Sequence, residues 1–207
     1  MKFTGYVTTR YNSTRVPLKV VQKVGKRTLV DRVIRCLTGA VDDILVYGDC
    51  PSVQEFITSD NYRFVQRPIE LSGDDVTFEQ ILDSALPHLD TDYIVFMTCT
   101  APFFTTDSVN TMIDKIVQDG YDSAFAAVEH KAFTWIGGMP IYSGVPKTQD
   151  LAPILFETSN IYIFSKDYYI KSKRRIGRNP YIHIVDKIEG WDIDTKEDLE
   201  IARRIYE

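Results

Sequence analysis

The sequence is poor in the features that mark several large protein classes. It has three cysteines, Cys36, Cys50 and Cys99, with no C-x-x-C spacing. An odd, scattered set supports neither a disulfide framework nor a zinc site and suits a reducing compartment, where free cysteines pack as small apolar groups. Three histidines, His88, His130 and His183, also lack metal-ligand spacing. No apolar run approaches the roughly 18 residues that a membrane span needs. The opening Met1-Lys2-Phe3-Thr4-Gly5-Tyr6 has no apolar signal core. The expectation is a cytoplasmic protein without a membrane partner. Positive charge is not in excess: 24 Lys and Arg against 29 Asp and Glu give −5. A nucleic-acid binder is usually basic, so that partner is excluded too. Neither G-x-G-x-x-G nor a Walker A sequence occurs, and there is no internal repeat or low-complexity tract.

What is present is ordinary globular composition, 44% hydrophobic and 26% charged over 207 residues. That length suits one domain, residues 1–207. Short β-rich runs alternate with helical periodicity. Strands are expected at 3–8, 44–47, near 64–65, 93–97, 124–128, 160–164 and 182–185. Helical stripes run through Leu29, Val30, Val33, Ile34 and Leu37, through Phe78, Ile81, Leu82, Ala85 and Leu86, and through Val109, Met112, Ile113, Ile116 and Val117. Thr28 is a candidate cap for the first, and Gly120 a C-terminal stop for the third. A short helix is expected over 53–59. A last helix, 196–206, opens on a Thr195/Asp198 capping box. This βαβα rhythm predicts an α/β fold with a mainly parallel sheet. From about 130 to 157 the rhythm breaks into a hairpin-like excursion.

Three segments carry candidate chemistry. The first strand runs into Thr9-Arg10-Tyr11-Asn12-Ser13-Thr14-Arg15-Val16-Pro17-Leu18-Lys19, at the edge where open α/β sheets bind ligands. Small polar residues there expose backbone N–H groups, and Arg10, Arg15 and Lys19 add the charge that a polyphosphate requires. In Trp191-Asp192-Ile193-Asp194-Thr195, extended backbone puts Asp192 and Asp194 on one face. Two such carboxylates repel unless a cation lies between them. Mg²⁺ is typically held by one or two carboxylates plus substrate phosphates. Arg67 and the Thr98-Cys99-Thr100 turn end two further strands at the same edge. The Lys171–Arg175 run reads as a solvated helix end, with contact to an anionic substrate as the other reading.

These residues resemble the cytidylyltransferases that activate acidic sugars: the CMP-sialic acid (acylneuraminate) synthetases and their CMP-Kdo synthetase cousins. Arg10 to Lys19 resembles the N-terminal signature of that family. Arg67-Pro68-x-Glu70-Leu71, Thr100-Ala101-Pro102, Pro146-Lys147-Thr148-Gln149-Asp150-Leu151, Asn160-Ile161-Tyr162-Ile163 and Asp192-Ile193-Asp194-Thr195-x-x-Asp198-Leu199 follow in the family's order. The resemblance implies a Rossmann-like nucleotide-diphospho-sugar transferase fold with a mixed, mainly parallel sheet flanked by helices. It implies that Thr9, Arg10, Asn12, Ser13, Thr14, Arg15, Lys19 and Arg67 bind CTP. Asp192 and Asp194 would hold Mg²⁺, the sole cofactor, and Arg10, Lys19 and Asp194 would be catalytic. Thr98, Thr100, Lys147 and Gln149 would meet a small acidic acceptor, and the excursion would help form a homodimer. Four positions depart from the family: Thr98 replaces a Gln, Phe104 an Arg, Lys147 an Arg, and Thr158-Ser159 an Asn-Gly pair. All four lie on the acceptor side. A phosphonate or sugar phosphate acceptor is therefore the alternative, and a non-catalytic nucleotide-binding or scaffold domain is the alternative of another class.

Overall fold

The computed structural model describes all residues from Met1 to Glu207. In chain order the strands are β1 (Phe3–Thr9), β2 (Lys23–Val24), β3 (Arg27–Thr28), β4 (Asp43–Gly48), β5 (Arg63–Gln66), β6 (Tyr93–Thr98), β7 (Ser123–His130), β8 (Trp135–Ile136), β9 (Met139–Pro140), β10 (Ile154–Ser165) and β11 (Pro180–Val185). The α-helices are α1 (Leu29–Leu37), α2 (Phe78–Ala85), α3 (Thr106–Asp119), α4 (Lys166–Ser172) and α5 (Lys196–Tyr206).

Seven strands form one sheet in the order β11-β7-β10-β6-β1-β4-β5. Only β10 runs against its neighbours; the pairings β1–β4, β1–β6, β4–β5 and β7–β11 are parallel. This is the mixed, mainly parallel sheet that the alternating pattern predicts. The central strands are buried on both faces, which explains their nearly unbroken apolar runs. One face packs Val7, Ile44, Val46, Val95 and Met97 against α1 and α3. The other packs Tyr6, Tyr47, Phe96, Tyr162 and Phe164 against α2 and α4. A smaller cluster joins Val16, Val24, Leu29 and Ile193 to Leu199 and Ala202 of α5. It clamps the first loop to the segment preceding the last helix.

The helix boundaries follow local chemistry. The Thr28 hydroxyl accepts from the Asp31 N–H at the start of α1. Thr195 and Asp198 form the reciprocal capping box at α5. Gly120 ends α3 at φ 73°, a left-handed turn that costs glycine little. The helix expected over 53–59 is instead a 3₁₀ turn, Pro51–Phe56. Pro51 starts it two residues early, and the backbone is extended again at Ile57. The excursion also sits differently from its sequence bounds. β7 extends to His130 and pairs with β10 from Ile154, so only 131–153 lie outside the sheet. A 12-residue strand is hard to read from sequence here because its pairing shifts register between Glu157 and Tyr162. Ser159 there adopts φ 58°. Such bulges re-aim side chains near functional edges.

Candidate active site

Because β1, β4, β5 and β6 are parallel, their carboxyl ends converge on one edge. The loops there enclose a cleft of about 330 Å³ lined by Thr9, Arg10, Ser13, Arg15, Lys19, Arg67, Asp74, Thr98, Thr100 and Asp194, among others. The sequence motifs at positions 10, 67, 98 and 194 are thus brought together from segments far apart in the chain.

Gly48, at the end of β4, makes room for this convergence. A Cβ there would collide with the Thr9 hydroxyl and the Phe64 ring. Next to it, Asp49 accepts from the Tyr11 N–H at 2.8 Å, which fixes the start of the first loop. Val16 is buried in the α5 cluster and pins the far end of that loop. Leu18 adopts a left-handed conformation at φ 53°. That strained position immediately precedes Lys19, and such strain collects at functional sites.

Lys19 is 7% exposed. Its Nζ donates to the Ile193 carbonyl at 2.7 Å and lies 3.6 Å from Asp194 Oδ1. Burial lowers its pKa from the ordinary lysine value, opposed by Asp194, while Arg15 pushes the same way as burial. Arg15 itself reaches Asp194 Oδ1 at 3.0 Å. Arg10 pairs with Asp74 at 2.6 Å across the cleft mouth. Arg67 is 3% exposed, and its nearest carboxylate, Asp49, is 3.9 Å away. Burial lowers its pKa too, with Asp49 opposing. Its Nε and the neighbouring Tyr6 hydroxyl are buried without partners. A cleft wall holding free guanidinium hydrogens is suited to a ligand that accepts them.

Ile193 is fully buried, and its N–H donates to Thr100 O at 3.0 Å. That bond ties the Asp192–Asp194 segment to the end of β6. Burial raises the Asp192 carboxyl above the usual carboxylate range, Asp194 adds to the rise, and a Thr100 hydrogen bond and Lys19 oppose it. No group of three or more His, Cys, Asp or Glu side chains gathers in the structure. Two hard-oxygen donors that repel each other beside a cationic cleft fit Mg²⁺ if the remaining ligands come from a bound phosphate and water.

Not every sequence candidate lines the cleft. Asn12 and Thr14 are exposed on the first loop, away from its wall. Lys147 and Gln149 are exposed on the excursion and do not reach this chain's cleft; Gln149 offers only its carbonyl, to Lys131 Nζ at 2.9 Å. The excursion carries its own Phe133–Tyr142 and Trp135–Tyr142 contacts. Phe104, standing at a family arginine position, is buried in the core on the α1 and α3 side. Conversely, Asp49 and Asp74 are absent from the sequence reading. Asp49 carried one signal, its place directly after a strand at the ligand edge. Asp74 carried none, since its partner lies 64 residues away.

The fold and the cleft together are those of an open α/β protein that takes its ligand at the carboxyl edge of the parallel strands. Residues 5–205 match the model of the cytidylyltransferase family, and the chain belongs to that family. It is 23% identical over 172 residues to an N-acylneuraminate cytidylyltransferase of Streptococcus agalactiae serotype V, covering 76% of this chain and 41% of that protein. It is 23% identical to a 3-deoxy-manno-octulosonate cytidylyltransferase of Flavobacterium johnsoniae, covering 98% of both chains. Thus the chain spans about two fifths of the first relative and nearly all of the second. A solved CMP:2-keto-3-deoxy-manno-octonic acid synthetase complexed with CTP superposes with a TM-score of 0.74 at 16% identity, covering 99% of this chain and 98% of that one.

Proposed function

We propose that the protein transfers CMP from CTP to a small acidic sugar, of the nonulosonate or Kdo type, with release of pyrophosphate. The observation that supports this most is the placement of Arg10, Arg15, Lys19, Arg67 and Asp194 around one cleft. A non-catalytic binder has no need for a carboxylate pair beside phosphate-binding cations. In this reading Arg67 meets the cytidine end, and Ser13 with Arg10, Arg15 and Lys19 holds the triphosphate. An acceptor hydroxyl attacks the α-phosphorus in line as the bond to the pyrophosphate oxygen breaks. The protein contributes position and charge rather than a covalent intermediate. Arg10 and Lys19 offset the charge that grows on the departing pyrophosphate. Asp192 and Asp194 would hold Mg²⁺, which supplies further charge neutralisation when bound. Thr98 and Thr100, 3.1 Å apart through their hydroxyls, offer hydrogen bonds to the acceptor.

The homodimer belongs to the same reading. The excursion exposes Trp135, Ile136, Met139 and Val145, an apolar surface that a second copy would cover.

The test is pyrophosphate release from CTP and Mg²⁺ with N-acetylneuraminate and with 3-deoxy-manno-octulosonate, for the wild type and for Asp194→Asn. Turnover with either acid, reduced at least a hundredfold in a folded Asp194→Asn protein, is the expected outcome. Release with a sugar phosphate or phosphonate alone would move the acceptor to that class. CTP binding without turnover of any acceptor would favour the non-catalytic reading.

A further inference from the structure

We propose that Arg175, on the loop between α4 and β11, is the guanidinium that takes the carboxylate of the acidic acceptor. This rests on the acceptor class given above. Arg175 lies 4.1 Å over the Tyr162 ring and 4.7 Å over the Phe78 ring. The guanidinium lies against both rings, on the sheet face covered by α2. It joins none of the protein's ion pairs. Arg10, Arg15, Lys19 and Arg67, in contrast, each face a carboxylate and line the nucleotide half of the cleft. With the nucleotide bound, those four cations are engaged, three at the triphosphate and Arg67 at the cytidine end. A sugar carboxylate then needs another cation, and Lys147 stands out on the excursion.

Position supports the assignment. Tyr162 is opposite Phe96 in the β10–β6 register. Thr98 lies two residues further along the same face of β6, at the cleft wall. Two strand steps are roughly 7 Å, a distance that a sugar ring with its carboxylate spans. Phe78 lies one helical turn before Ile81, which also lines the cleft. Arg175 therefore stacks on two rings whose own elements, the β10–β6 pair and α2, carry Thr98 and Ile81 to the cleft wall. A second feature marks this half as built for a ligand. Asn160, at the β10 bulge, is fully buried, and its Oδ1 has no partner although its Nδ2 donates to Trp191 O at 3.4 Å. A buried amide oxygen left free beside Thr98 suits a hydroxyl-rich ligand. The Tyr162 hydroxyl donates to Glu157, which keeps that carboxylate engaged and Tyr162 fixed beneath the guanidinium.

The experiment compares wild type, Arg175→Gln and Arg175→Lys in pyrophosphate release, with N-acetylneuraminate, 3-deoxy-manno-octulosonate and the methyl ester of each. Gln keeps a flat group on the rings and removes the charge. A charged hydrogen bond lost from the acceptor predicts a KM for the acid raised roughly tenfold to a hundredfold in Arg175→Gln, with the KM for CTP unchanged. The wild-type preference for acid over ester should collapse in Arg175→Gln and persist in part in Arg175→Lys. An unchanged acid KM with ester discrimination intact would overturn the assignment and leave the acceptor class standing. Equal rises in the KM for CTP and acid would overturn it as well, because Arg175 would then act on the whole cleft. Wild-type enzyme that turns over neither acid would overturn the acceptor class itself, and this inference with it.

Discussion

Lys19→Met separates stability from chemistry at one atom. The Nζ is buried and links the first loop to the last motif through the Ile193 carbonyl at 2.7 Å. Removing it leaves a buried carbonyl without its donor, a cost of about 1–3 kcal/mol. It also removes a charge that burial disfavours, as the lowered pKa shows. The two effects oppose each other and leave a loss of about 1 kcal/mol. For a chain of this size that is a fall in Tm of about 2–4 °C. Chemistry should suffer far more. Deleting one preorganised group that meets developing charge costs about a hundredfold to a thousandfold in kcat. The assay is kcat for pyrophosphate release beside a calorimetric Tm, in the same buffer. The pH dependence has a defined sign. The folded pKa lies below 10.5, so between that value and 10.5 the unfolded chain binds more protons and stability rises with pH. Lys19→Met should lack that rise. A folded Lys19→Met enzyme with kcat within threefold of wild type would refute the role of Lys19 as a phosphate-binding cation.

Two further substitutions read the other charges. Asp74→Asn frees Arg10 from a pair whose side chains are 35% and 67% exposed, an interaction of at most about 1 kcal/mol. Calorimetric titration with CTP should show affinity rising by up to about fivefold with Tm unchanged; weaker binding would mean that Asp74 orients Arg10 instead of competing for it. Asp192→Asn should lower turnover at least a hundredfold and raise Tm at pH 7. Its folded pKa is raised by burial, so stability falls as pH climbs from 3.8 through that value, and the ionised form at neutral pH is the less stable one. A lower Tm for Asp192→Asn would show that its Thr100 hydrogen bond outweighs the burial penalty.

The fold was legible because period and burial agree along most of the chain. The strands at the centre of the sheet show as continuous apolar runs, and Thr28, Thr195 and Gly120 mark helix ends by chemistry that acts within a few residues. Part of the cleft lining was legible for the same reason. The Arg10–Lys19 loop and the Asp192–Asp194 pair are local in sequence, and the sheet only has to bring them together. The rest depends on distance in the chain. Pairing of Ile154–Glu157 with β7 is set by a partner strand and a bulge, not by the segment's own pattern. Asp74 and Arg175 look like solvated charges until α2 and the sheet set them beside Arg10, Phe78 and Tyr162.

The charges of the cleft follow one principle. Arg10, Arg15, Lys19 and Arg67 would repel each other if left alone, and each faces a carboxylate of this chain: Asp74, Asp194 or Asp49. In the proposed reading, phosphate oxygens compete with Asp74 and Asp194 for Arg10, Arg15 and Lys19, and the cytidine end competes with Asp49 for Arg67. Binding the nucleotide is therefore an exchange of anions, in which gain comes from difference rather than from total attraction. Asp194 has a second part in that exchange. Once Arg15 and Lys19 turn to phosphate, it is left beside Asp192 as an unneutralised pair, which is the condition that favours a divalent cation. Nucleotide and Mg²⁺ should then bind with positive coupling, each raising the affinity of the other by the same factor. Asp194→Asn should abolish that coupling while CTP still binds, a result that distinguishes a metal-binding carboxylate from one that only restrains Arg15 and Lys19.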